Sequence, residues 1–134
     1  MVQPGSARGG YAVGIDTIDA LHEELEDRLA VLQAAGSGPA AGVALAALLE
    51  HLQRHFAHEE GLMTGTDFPM SSCHAREHAS VIEVVVEVQR LLEAGDSAPL
   101  ERLAPAMTEW FALHAAGMDA ALAGYLQRAA PQPA

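Results

Sequence analysis

The sequence predicts an all-α protein, an antiparallel up-down-up-down four-helix bundle. Three observations carry that expectation. Apolar residues recur at steps of three and four through four separate segments. Short links rich in Gly, Pro, Ser and Asp divide those segments. Half of the 134 residues are hydrophobic but only 4% are aromatic, a mix that suits helices packing through aliphatic side chains better than a β-sandwich. The length is that of one domain, 1–134, enough to bury a core and too short for two.

The first helix is expected over residues 16–35, after an N-terminal arm at 1–12. Its inward stripe is Ile15, Ile18, His22, Leu25, Leu29 and Leu32. Gly36-Ser37-Gly38-Pro39 closes it and opens the next, with Ser37 a candidate cap. The second helix, 40–64, turns Leu45, Leu48, Leu52, His55, Glu59 and Leu62 inward. Asp67-Phe68-Pro69 marks a loop. The third, 72–94, starts near the cap pair Ser71 and Ser72 and ends at Gly95, with His74, His78, Val81, Val85, Val88 and Leu92 inward. The fourth spans 98–128 and carries Pro105, which requires either a kink or a regular part starting near Ala104. Residues 129–134, with two prolines, form a tail.

The formal net charge of −11 opposes binding to nucleic acid, whose phosphates it would repel. Every apolar run is broken before the roughly 18 residues a membrane span needs. Residues 1–12 lack the apolar core of a secretory signal, and one cysteine makes no internal disulfide. A cytoplasmic protein is the expectation.

Seven histidines are many for so short a chain, and several fall in the buried stripes. One histidine on an apolar face is ordinarily a satisfied core residue. That explanation weakens as cases accumulate. His55 and Glu59 stand four residues apart, as do His74 and His78, and such a step turns only about 40° around a helix. Burying these groups without compensation costs several kcal/mol per charge, which a metal centre offsets. His114 and Asp119 stand five apart, a swing of about 140° on a regular helix. For both to reach one centre, a π-type turn is required between them, eased by Gly117.

The candidate ligands are therefore His22, His55, Glu59, His74, His78, His114 and Asp119. Seven are too many for one tetrahedral zinc, and too rich in nitrogen for calcium or magnesium. Two transition metals bridged by the carboxylates fit this set, and imidazole with carboxylate suits iron. The layout with Glu-x-x-His on two helices of a bundle does not match.

In order along four helices, His, then His-x3-Glu, then His-x3-His, then His-x4-Asp resembles the hemerythrin family, in particular its single-domain bacterial members. Flanking residues add to the resemblance: Val13-Gly14-Ile15 with Ile18-Asp19, then Phe56, Glu60, Met63 and Phe68-Pro69, then Trp110 and Tyr125-Leu126. It covers about residues 11–126. It implies a hemerythrin-like bundle, usually monomeric, holding two iron ions with a bridging oxo or hydroxo group. His74, His78 and His114 would bind the saturated iron, and His22 and His55 the iron with an open position. Glu59 and Asp119 would bridge them. The implied function is reversible binding of dioxygen for carriage, storage or sensing, without catalysis. The alternative is a di-iron enzyme with peroxidase-like or nitric-oxide-handling activity. Four positions depart from the family's habit: Ala7 in place of tryptophan, Ala115 in place of a large aliphatic residue, Val81 in place of phenylalanine, and Phe111 where leucine is common. Ala115 is the departure expected to affect how long oxygen is held.

The other polar and aromatic residues have duller readings. His51 and His58 are expected at the surface or boundary, with His58 a possible outer support. Glu23, Glu24, Glu26, Asp27 and Glu60 read as a solvated acidic face. Cys73 reads as a boundary thiol, and Met63, Met118, Phe56, Trp110 and Phe111 as packing.

Overall fold

In a computed structural model of the chain, residues 11–129 are described. The arm expected at 1–12, Ala7 included, lies outside them up to residue 10, and so does the tail from residue 130. Among the described residues the helices are α1 Asp16–Ala35, α2 Ala41–Gly65, α3 Ser71–Glu93, α4 Ala98–His114 and α5 Ala120–Ala129. A single π turn, Ala115–Asp119, joins α4 to α5 so that they run as one continuous rod. Each helix packs on its neighbour in sequence, and α4 closes the ring against α1. This is the four-helix bundle the periodicity predicts.

Each rod carries an apolar stripe that is interrupted by the candidate metal ligands. On one side of the interruption lies the larger core, which includes Leu25, Leu29, Leu48, Leu52, Val81, Val85, Met107 and Phe111. On the other lies a small one of Ile18, Met63, Phe68 and Leu122. The polar layer is thus sealed by hydrophobic packing from both directions along the bundle axis, which keeps water away and strengthens electrostatics within it.

The starts of two helices depart from expectation, and one proline lies inside its helix. Ser37 does not cap α2, because the chain first makes a turn, Ala41 N–H to Gly38 O, and Ala40 takes the cap position. Ser71 is already helical in α3, with Met70 before it and no side-chain cap. Pro105 sits inside α4 without ending it. Pro105 and Glu101, whose carbonyl loses its helical donor, are both exposed, so solvent replaces the missing bond. Met63, rather than Leu62, is the fully buried residue near the end of α2.

Asp19 anchors the segment that leads into α1. Its Oδ1 accepts from Val13 N–H at 2.7 Å and its Oδ2 from Gly14 N–H at 3.2 Å. Gly14 has φ +90, a backbone conformation that favours glycine over any L side chain. This clasp holds Tyr11 over the bundle. Asp19→Ala is expected to cost about 1.5–3 kcal/mol through loss of the charge-assisted bonds. It should lower the thermal midpoint by roughly 5–10 °C, read by circular dichroism. No helix among the described residues is long and apolar enough to cross a membrane.

Candidate metal centre

All seven sequence-selected residues converge in the polar layer and are at least 96% buried. His22 comes from α1, His55 and Glu59 from α2, His74 and His78 from α3, His114 from the end of α4 and Asp119 from the π turn. The widened turn brings Asp119 back to the side of His114, as the five-residue spacing requires: His114 Nε2 lies 3.1 Å from Asp119 Oδ1.

The donor atoms form two groups that share both carboxylates. One group is Glu59, His74, His78, His114 and Asp119; the other is His22, His55, Glu59 and Asp119. Within each, the atoms lie within 4.8 Å of one another. The spacings suit a metal better than hydrogen bonds. His74 Nε2 and His78 Nε2 stand 3.1 and 3.3 Å from His114 Nε2. Nitrogens at right angles on a metal, each about 2.1 Å from it, are about 3.0 Å apart. Glu59 Oε1 and Asp119 Oδ1 are buried and accept no hydrogen bond, although imidazole nitrogens lie 3.0 to 3.5 Å away. The other oxygen of each carboxylate meets an imidazole at 2.9 Å, His55 for Glu59 and His22 for Asp119, but these two are orphaned, and orphaned buried oxygens are costly unless a cation satisfies them.

Electrostatics in the metal-free cluster follow from the same crowding. Burial disfavours the charged form of His22, but the Asp119 and Glu59 carboxylates outweigh it and raise its pKa to about 10. His74 is treated likewise, raised to about 9 by the same two carboxylates against its burial. Burial alone would push Glu59 and Asp119 up; the imidazoles around them win and hold both well below the usual carboxylate range.

Outer contacts orient the rings. His22 Nδ1–H donates to Tyr11 O at 2.6 Å, His78 Nδ1–H to Glu60 Oε2 at 2.9 Å, and His114 Nδ1–H to Glu77 Oε1 at 2.6 Å. With a proton held on Nδ1, the Nε2 of each ring is the nitrogen turned to the centre, and its lone pair is available to a metal in the neutral ring. His74 Nδ1 is buried without a protein partner. Aromatic faces cover the rings: Phe56 stacks on His78 at 3.9 Å, Trp110 on His114 at 4.4 Å, and Phe111 meets His22 edge-on at 4.9 Å.

Several assignments change here. His51 is not a boundary residue: it is wholly buried, with Nε2 3.0 Å from His55 Nδ1. Its burial lowers its pKa to about 4. Glu60 and Glu24 are not simply solvated, since they face His78 and His51. Glu77 was not singled out in the sequence, although its position next to His78 and three after His74 is the signal that finds it. His58, partly buried, bonds Thr17 Oγ1 at 3.0 Å and touches no ring of the cluster. Cys73 is exposed.

The comparisons with known proteins agree with this geometry. Residues 13–126 match the family described as Hemerythrin HHE cation binding domain. A bacteriohemerythrin of Ralstonia nicotianae is 39% identical over 88 residues, which make up 66% of this chain and 64% of the relative. The match therefore spans a little less than two thirds of that protein. No solved structure matches the chain. Sequence order, bundle and buried cluster lead to one conclusion: the chain belongs to the hemerythrin family.

Proposed function

We propose that the chain binds two non-haem iron ions and uses them to hold dioxygen reversibly. The observation that carries this reading is the pair of donor groups sharing Glu59 and Asp119. His74, His78 and His114 would hold one iron, His22 and His55 the other, and the two carboxylates with a solvent-derived bridge would join them. Only the second group has two imidazoles, which leaves room for a ligand. When bound, the iron pair supplies two electrons and an open coordination position, the chemistry that reversible dioxygen binding requires. The protein's part is to fix the donors, match their charge and keep the layer dry. Five neutral imidazoles and two carboxylates give a site of modest negative charge, suited to binding more than to demanding oxidation.

The test is anaerobic reduction of the iron-loaded chain followed by air. A visible charge-transfer band that appears in air and vanishes under vacuum over repeated cycles supports the reading. Prompt irreversible oxidation would defeat it.

One observation favours the enzymatic alternative, a peroxidase-like or nitric-oxide-handling protein. A groove of about 570 Å³ between α3 and α4 is lined by Glu77, Val81 and Trp110. Glu77 and Trp110 both touch His114, and Val81 stands where the family usually has phenylalanine. Turnover of peroxide by the reduced protein distinguishes this alternative. Ala115, 1% exposed and next to His114 in sequence, lies outside that groove and is the other small residue where the family usually has bulk. Ala115→Ile is expected to slow autoxidation several-fold while costing about 1–3 kcal/mol through overpacking. Autoxidation kinetics with a parallel thermal melt check both effects, and an unchanged rate counts against a role for this position.

A further inference from the structure

Behind His55 runs a polar chain that the seven-residue cluster does not need for its own closure. His51, one turn earlier on α2, is completely buried, and its Nε2 lies 3.0 Å from His55 Nδ1. Its Nδ1 lies 3.0 Å from Glu24 Oε2 on α1, at an approach bent away from the ring N–H direction. Arg54 Nη2 donates to the same oxygen at 2.6 Å, and Arg28 Nη2 stands 3.7 Å from it. The path leads from the sealed layer to the surface, where the Arg54 side chain is 52% exposed.

The direction of these bonds follows from the two-metal reading, on which this inference rests. A His55 that turns its Nε2 lone pair toward a metal carries its proton on Nδ1 and donates it outward. His51 Nε2 accepts, which leaves the His51 proton on Nδ1, facing the Glu24 carboxylate. A leucine would fill this position without needing any partner, whereas a buried imidazole is costly unless both nitrogens are engaged.

The two donor groups differ in how they are supported. His78 and His114 each lean directly on a carboxylate, Glu60 and Glu77. His22 rests on the neutral carbonyl of Tyr11. The outer nitrogen of His55, Nδ1, reaches a carboxylate through His51. That relay gives the His22 and His55 group an anionic outer support.

We propose that His51, held by Glu24 and Arg54, is a positioning residue for the metal centre, fixing the tautomer and ring plane of His55 and strengthening the His22 and His55 subsite selectively. Outer partners of this kind carry about 10–100-fold in metal affinity.

The full chain, loaded with Fe2+ and kept anaerobic, is titrated with a ferrous chelator. The wild type should release two ions. In His51→Leu, one of the two should leave at about 10–100-fold lower chelator concentration while the other is unmoved. His51→Gln, whose amide can accept from His55 and donate to Glu24, should restore most of the retention. Glu24→Gln should weaken the same ion by a smaller factor, and it serves as the test if His51→Leu does not fold. Release of both ions as in the wild type, equal weakening of both, or a glutamine variant no better than leucine would overturn the proposal. A wild type that holds fewer than two ions overturns the two-metal reading itself, and the proposal with it.

Discussion

Glu59→Ala is expected to cost the site at least one of its two irons and to lower the thermal midpoint of the iron-loaded protein by about 10–20 °C. Glu59 belongs to both donor groups. Its oxygens lie 2.9 Å from His55, 3.2 Å from His78, 3.5 Å from His74 and 3.8 Å from His22. Removing it withdraws one of two negative charges from five buried imidazoles and leaves a gap between the helices. Loss of one partner from a buried charged cluster costs about 3–5 kcal/mol, which for a domain of this size translates into the shift stated. Iron content should fall from two per chain to one or none. Elemental analysis with calorimetry reads both effects. Surface controls such as Glu87→Ala, whose ion pair with Arg90 is exposed, should change neither. A Glu59→Ala protein that retains two irons would remove the carboxylate from the centre.

The second large effect is a reversal of pH dependence on metal loading. In the metal-free chain His22 and His74 have raised folded-state values of about 10 and about 9. Their contribution to stability is full below the unfolded value of about 6.5 and is lost as pH rises through 9 to 10. Glu59 and Asp119, held low, contribute above about pH 4, and that contribution is lost as pH falls through their depressed folded values. Buried His51, its pKa lowered to about 4, adds a penalty as pH falls from about 6.5 toward 4, so the metal-free protein should be most stable near pH 6.5 and should weaken toward pH 10. Metal binding demands neutral imidazoles, so the loaded protein should gain stability from pH 5 to 8. Loading at pH 7 should release about two protons, one each from His22 and His74. Calorimetric titration in buffers of different ionisation enthalpy counts them. Uptake without proton release would contradict the charge states assigned to the empty site.

The bundle was legible because its helices are strongly amphipathic and their links short. The His-x3-Glu and His-x3-His steps announced themselves in the stripes, and even the π turn could be anticipated, since His114 and Asp119 cannot share a face on a regular helix. Helix starts were less legible: Ser37, Ser71 and Ser72 have the right chemistry for caps, but turns before Ala41 and Ser71 set those starts through the backbone. The outer contacts were the least visible. Glu60 and Glu77 each sit beside a ligand in sequence, so on a helical wheel they fall toward solvent, and only the packing of a neighbouring helix makes them partners of His78 and His114. His51 shows the same limit from the other side. It stands one turn from His55 in the ligand stripe, yet its burial depends on Glu24, which comes from a different helix. Local period reveals which face a residue takes; it does not reveal which side chain meets it across the interface.

We propose that these seven residues hold two metal ions at adjacent positions. Anomalous diffraction at the iron edge from crystals of the loaded protein tests it most directly. Two peaks are predicted, one within bonding distance of His74, His78 and His114, the other of His22 and His55, with Glu59 and Asp119 touching both. A single peak, or two peaks that do not share those carboxylates, would contradict it.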